Sequence, residues 1–121
     1  MRKTSSDNPF LGYWRITDME LWGQEARDLI VPAHITITDD GDGEFEFIAV
    51  VGYMDCHFDQ RNGAPAVEFS WHGEDDSDEA LGRGWAVLEK PNLMRGRIFF
   101  HKGDDSAFAA VKGVKLGKKR R

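Results

Sequence analysis

The chain has one cysteine, Cys56, in 121 residues. A single thiol forms no internal disulfide, so the fold must stand on its own core, and this usage suits a reducing compartment, with the cytoplasm as the expected location. No run of about 18 apolar residues is present, which excludes a membrane-spanning helix. The opening MRKTSSDNPF lacks the apolar core of a signal peptide. Acid is missing from the other end. From Lys112 onward six basic residues stand with no Asp or Glu; taking these six from the 16 basic residues leaves 10 against 21 acids, so the body carries about −11. Such a body repels nucleic acid and anionic membranes, whereas the tail attracts both.

The length suits one domain, and the aromatic content allows it a real core. Residues 1–10 read as a disordered leader, 11–112 as the folded domain, and 113–121 as a basic flexible tail. LGYWRI is a first strand with Trp14 and Ile16 on one face. TDME at 17–20 has the form of a capping box, and Met19, Trp22, Ala26, Leu29 and Ile30 follow at roughly helical spacing until Pro32. A helix of about ten residues is predicted here. The period then changes to two. AHITIT buries Ile35 and Ile37, and EFEFIAVV sets Phe45, Phe47, Ala49 and Val51 on one face, with Gly52 ending that strand or bulging. YMDCHFD places Met54, Cys56 and Phe58 together.

Asn62-Gly63 fixes a register, because a two-residue type I′ turn needs positive φ at both central positions. With Arg61 and Ala64 flanking it, Met54 faces Trp71, Cys56 faces Phe69, and Phe58 faces Val67. The apolar sets coincide, which supports the pairing. GEDDSDEA at 73–80 reads as a solvated loop, and GRGWAVLE and LMRGRIFFH form a hairpin around KPN, with Trp85 and Val87 toward the core. GDDS turns the chain into a last strand, AFAAVKG. The predicted fold is all-β: one antiparallel meander of about eight strands closing into a small barrel, with one short N-terminal helix.

Gly12-Tyr13-Trp14 at the start of the first strand resembles the Gly-x-Trp signature of the calycin (lipocalin-like) barrels. In that superfamily the Trp packs across the closed end, under an Arg from a late strand. The resemblance covers residues 11–112 and implies these roles for Trp14 and for Arg97 or, second, Arg95. AVEFSWHG, GRGWAVL and GRIFFHKGDD are similar to segments of small bacterial proteins that bring no activity with them.

Candidate chemistry gathers on one sheet face holding Asp55, His57, Asp59, Glu68 and His72. The register sets His57 beside Glu68, where a carboxylate would fix the imidazole tautomer. In a barrel mouth this face would bind a polar ligand or serve acid–base catalysis; as a plain solvated face it contributes a weak cross-strand pair. Arg95 and Arg97 are anion anchors if their face lines a cavity. No catalytic residue is assigned, since no nucleophile stands against a base. No metal or cofactor is expected: one Cys and scattered histidines have no zinc spacing, and DDGDGE at 39–44 fits a tight turn better than a calcium loop. The glycines of GRGWAV precede a strand rather than a helix, so they serve a curling sheet and not a phosphate.

Three functions remain open. The leading one is a non-enzymatic module binding a small ligand or a protein. The first alternative is association with nucleic acid through GVKLGKKRR, although no strand pairs exposed aromatics with basic residues as an RNA-binding sheet does. The second is an enzyme built on the face around His57 and Glu68.

Overall fold

The computed structural model describes residues 8–38 and 40–113, and in them eight antiparallel strands form a closed barrel in sequence order. The strands are β1 (Gly12–Met19), β2 (His34–Ile37), β3 (Asp42–Phe47), β4 (Val50–Arg61), β5 (Ala64–Asp75), β6 (Asp78–Lys90), β7 (Leu93–Phe100) and β8 (Asp105–Lys112), with one helical turn, α1 (Gln24–Arg27), between β1 and β2. Closure comes from β1 pairing with β8, Trp14 opposite Lys112 and Met19 opposite Phe108. Among the described strands no edge is left open. Among the described residues no helix is long and apolar enough to cross a membrane.

The hairpin register at Asn62-Gly63 is as the turn chemistry demands. Arg61 pairs with Ala64, Met54 with Trp71, Cys56 with Phe69 and Phe58 with Val67. Both turn residues have positive φ, 53° and 83°. Trp14 and Ile16 point inward and are fully buried.

The helix is far shorter than the spacing predicts. Thr17 to Met19 stay in β1, because closing the barrel requires their ladder with β8; Thr17 is the extra residue of a bulge in that ladder. Met19 turns into the barrel, whereas Leu29 and Ile30 are 64% and 61% exposed, so the apparent helical stripe is split between two environments.

Two other boundaries move. EFEFIAVV is not one strand: a turn at Ile48-Ala49 ends β3 after Phe47, and Val50, opposite Phe47, is the next inward residue instead of Val51. Ile48 takes φ 55°, a strained value for a β-branched side chain, while its N–H donates to the Arg27 carbonyl at 2.8 Å. The acidic run is not a loop either. It is the end of a long hairpin in which β5 reaches Asp75, β6 starts at Asp78, and Asp76-Ser77 turn with φ 53° and 78°. Its five acids are exposed, as their mutual repulsion requires.

β6 also points the other way. Gly84, Ala86 and Leu88 face the core, and Trp85 and Val87 face outward. The larger side chains lie outside because the space inside is already taken. The Phe69 ring lies over Gly84, where any Cβ would collide with it, and the Phe45 ring covers Gly52 in the same manner. Phe45, Phe47, Phe69, Trp71 and Phe100 meet across the interior with ring centroids 5.0–6.5 Å apart. The barrel is therefore a packed core rather than a cup.

Candidate functional site

The two ends of the barrel differ. At one end Trp14 Nε1 donates to the Phe10 carbonyl at 2.8 Å, and the Phe10 ring stacks on Phe58 at 6.0 Å. Phe10 is buried, so the folded unit starts before the leader boundary at residue 10. The cation over Trp14 is not an arginine. Lys112, the last residue of β8, sets Nζ 4.6 Å from the ring centroid and donates to the Leu11 and Pro9 carbonyls at 2.7 and 3.2 Å. Partial burial holds the Lys112 pKa below the usual lysine value. Arg97 is excluded from this role because its strand turns it outward, where it pairs with Asp105 and, at 3.3 Å, with Glu20. Arg95 is outside too, bonded to Glu89 at 2.9 Å.

The opposite end is a mouth bounded by the β1–β2 connection and the turns after β3, β5 and β7. Arg27 seals part of it. Only 9% exposed, it donates to the Thr17 carbonyl at 2.6 Å and the Trp22 carbonyl at 3.4 Å, and its Nε has no partner among the described residues. Beside it Asp28 takes both guanidinium nitrogens of Arg15, at 3.0 and 3.1 Å, and the Ala33 N–H at 2.8 Å. The Arg15 hydrogen bond holds the Asp28 carboxyl below its usual value. The cleft in the mouth has an apolar floor of Trp22, Phe47, Ile48 and Phe100, and Asp75, Asp78, Glu79 and Asp104 stand around it.

The residues singled out from the sequence lie on neither end. Asp55, His57, Glu68 and His72 occupy the outer face of β4 and β5. His57 does stand opposite Glu68 in the ladder, but the contacts go elsewhere: His57 Nε2 is 3.6 Å from Asp55, and Glu68 is 3.8 Å from Arg61. His72 is a separate feature, its ring 6.2 Å from Tyr53. Cys56 faces inward, and burial, with Asp55 and Asp42 adding, pushes its thiol up to about 12, so it is protonated and unreactive at neutral pH. Among the described residues no group of three His, Cys, Asp or Glu side chains converges to hold a metal ion.

What the sequence reading missed is the aromatic content of this outer face. Trp85 sits between Glu68 on β5 and Arg97 on β7, and Phe99 sits opposite Arg83. Arg61 lies 4.8 Å over the Trp85 ring, and Arg83 lies 4.7 Å over Phe99. His57, Glu68, Arg83, Trp85 and Phe99 border one shallow groove of about 400 Å³. Outward-facing, half-buried aromatics therefore do stand beside arginines on this face, a pattern that the sequence reading did not find. The signal was available in GRGWAVL: the small residues Gly84 and Ala86 alternate with Trp85, as they must where facing walls already fill the interior.

No protein-family model matches the chain, and neither the curated proteins nor the solved structures contain a match to it.

Proposed function

We propose that the protein is a non-enzymatic binding module of the calycin-like type, working in a bacterial cytoplasm, and that it engages another protein through the outer face of β4–β7. The observation that carries this reading is the pair Trp85 and Phe99, held outside a closed barrel under Arg61 and Arg83. Tryptophan and arginine are the residues that concentrate binding energy at protein interfaces. A filled interior argues for a protein rather than a small ligand, since aromatic side chains occupy the space where a barrel would hold one. In this reading His57, Glu68 and Arg83 form the polar border of the groove, Arg97 stands beside Trp85 in the ladder, and Asp55, His72 and Arg95 lie farther out. The calycin likeness rests on Trp14 across the closed end, with Lys112 in the place of the arginine.

The test is selection of displayed random peptides on the immobilised protein. A recurrent motif should emerge with the natural face and vanish with the double variant Trp85→Ala, Phe99→Ala, whose melting curve stays cooperative. No enrichment, or enrichment unchanged in the variant, overturns the reading.

Association with nucleic acid is the second reading, and the arginine-on-aromatic pairs favour it, because single-stranded bases stack on such surfaces. Glu68 offsets the charge of Arg61, while Glu89 pairs with Arg95 and Glu20 and Asp105 pair with Arg97 on the neighbouring strand. Binding of an oligonucleotide that weakens steeply with salt and is lost in the same double variant would bring it forward.

A further inference from the structure

We infer that the mouth of the barrel is a docking site for the basic segment 114–121 of a second copy of this chain, so that molecules associate head to tail. The mouth offers two kinds of surface side by side. Its floor is apolar, with Trp22, Ile48 and Phe100 reaching the cleft, and Asp75, Asp78, Glu79 and Asp104 surround that floor. Among the described residues His101 is the one lining group able to carry positive charge. None of the four acids forms an ion pair among the described residues, whereas Glu20 and Asp105 near the same end pair with Arg97. The four carboxylates are thus available to a cation arriving from outside.

Segment 114–121, VKLGKKRR, has the complementary order of side chains. Val114 and Leu116 come first, as apolar anchors for the floor, and Lys118, Lys119, Arg120 and Arg121 follow for the carboxylates. Its five basic residues, with Lys115, match the sign of the mouth and the wider field of the acidic body.

Geometry selects another molecule as the donor. The Gly113 N–H is bonded to the Tyr13 carbonyl at 2.9 Å, at the Trp14 end, so the segment begins at the end opposite the mouth. Fully extended, eight residues reach at most about 28 Å. The return along β8 alone takes about 25 Å, as eight strand residues at the usual rise. Only the last cations would arrive at their own mouth, and Val114 and Leu116 would remain far from the floor. In a neighbouring copy both parts meet their counterparts at once. The two surfaces are different patches, so the contact is heterologous and extends into chains rather than closing as a symmetric dimer.

The experiment uses two altered proteins, one ending at Gly113 and one carrying Asp75→Asn, Asp78→Asn, Glu79→Gln and Asp104→Asn. Sedimentation velocity of the unaltered chain in about 0.02 M salt should show mass rising with concentration, and about 0.5 M salt should abolish it, as expected for screened charges. Each altered protein alone should remain a monomer, and an equimolar mixture should give a 1:1 complex, because one supplies the mouth and the other the segment. A synthetic GVKLGKKRR peptide should bind the protein ending at Gly113 and shift the indole resonance of Trp22, with affinity falling at least tenfold in the mouth variant. A monomeric unaltered chain at every concentration overturns the inference. So does a mixture that fails to associate, a truncated protein that still self-associates, or peptide binding that the mouth variant leaves unchanged.

Discussion

Trp14 is a buried anchor of the closed end. It is fully buried, donates to Phe10 and lies under Lys112. Trp14→Ala should lower stability by about 3–5 kcal/mol through the cavity it leaves. Trp14→Phe should retain most of the packing and cost about 1 kcal/mol for the lost hydrogen bond. Denaturant titration measures both, and an alanine cost under about 1 kcal/mol would contradict the role. Asp28 gives a prediction in pH. Its carboxyl is held below the ordinary 3.8, so its contribution is complete above that value and is lost as pH falls through the lower, folded-state value. Asp28→Asn should remove about 2 kcal/mol at neutral pH and flatten the acid limb of the stability profile. An acid limb identical in variant and parent would contradict this. The burial of Trp14 was legible in the alternation of LGYWRI, but its cation was not: Lys112, the last residue of the predicted domain, was counted among the charges of the basic end, and only the pairing of β1 with β8 brings it over the ring.

At the scale of strands, what was legible followed from turn chemistry, and what was not followed from closure. Asn62-Gly63 announced its own register because few residues tolerate two successive positive φ values. The turns at Ile48-Ala49 and Asp76-Ser77 were hidden, since the positive φ of Ile48 is rare for a β-branched residue and the Asp76-Ser77 pair lacks the glycine that marks such a turn. The helix was overestimated because a local capping pattern lost to the ladder between β1 and β8. The candidate site was partly legible: the neighbourhood of His57 and Glu68 was right in register, while Trp85 was assigned inward because hydrophobicity does not reveal that a barrel is already full. Two glycines separate the causes. Gly84→Ala would drive a methyl into the Phe69 ring and to 2.7 Å from the Arg97 carbonyl oxygen, costing about 1–3 kcal/mol by overpacking. Gly63→Ala meets no atom within 4 Å, yet φ of 83° makes it cost about 1 kcal/mol from the backbone alone. If thermal melts gave equal losses relieved together by Phe69→Ala, the distinction would fail.

For the molecule as a whole the dominant electrostatic term is self-repulsion among 21 acids in a chain of net charge −5. Exposed pairs such as Arg95 with Glu89 each contribute at most about 1 kcal/mol and are also screened by salt. The melting temperature should therefore rise between about 0.01 and 0.3 M sodium chloride. Replacing Glu74, Asp75, Asp76, Asp78 and Glu79 with Asn or Gln should leave the fold intact and reduce that rise. A melting temperature that falls with salt would show that attractive pairs prevail. The seam where the barrel closes has a mechanical consequence. β1 enters and β8 leaves at the same end, with Trp14 opposite Lys112. Force applied through residues 12 and 112 therefore peels the two strands apart one rung at a time, like a zip. Force applied along the strands must shear several rungs together. Tethered in the first way, the molecule should yield at low load, with Trp14 and Lys112 the first pair to part.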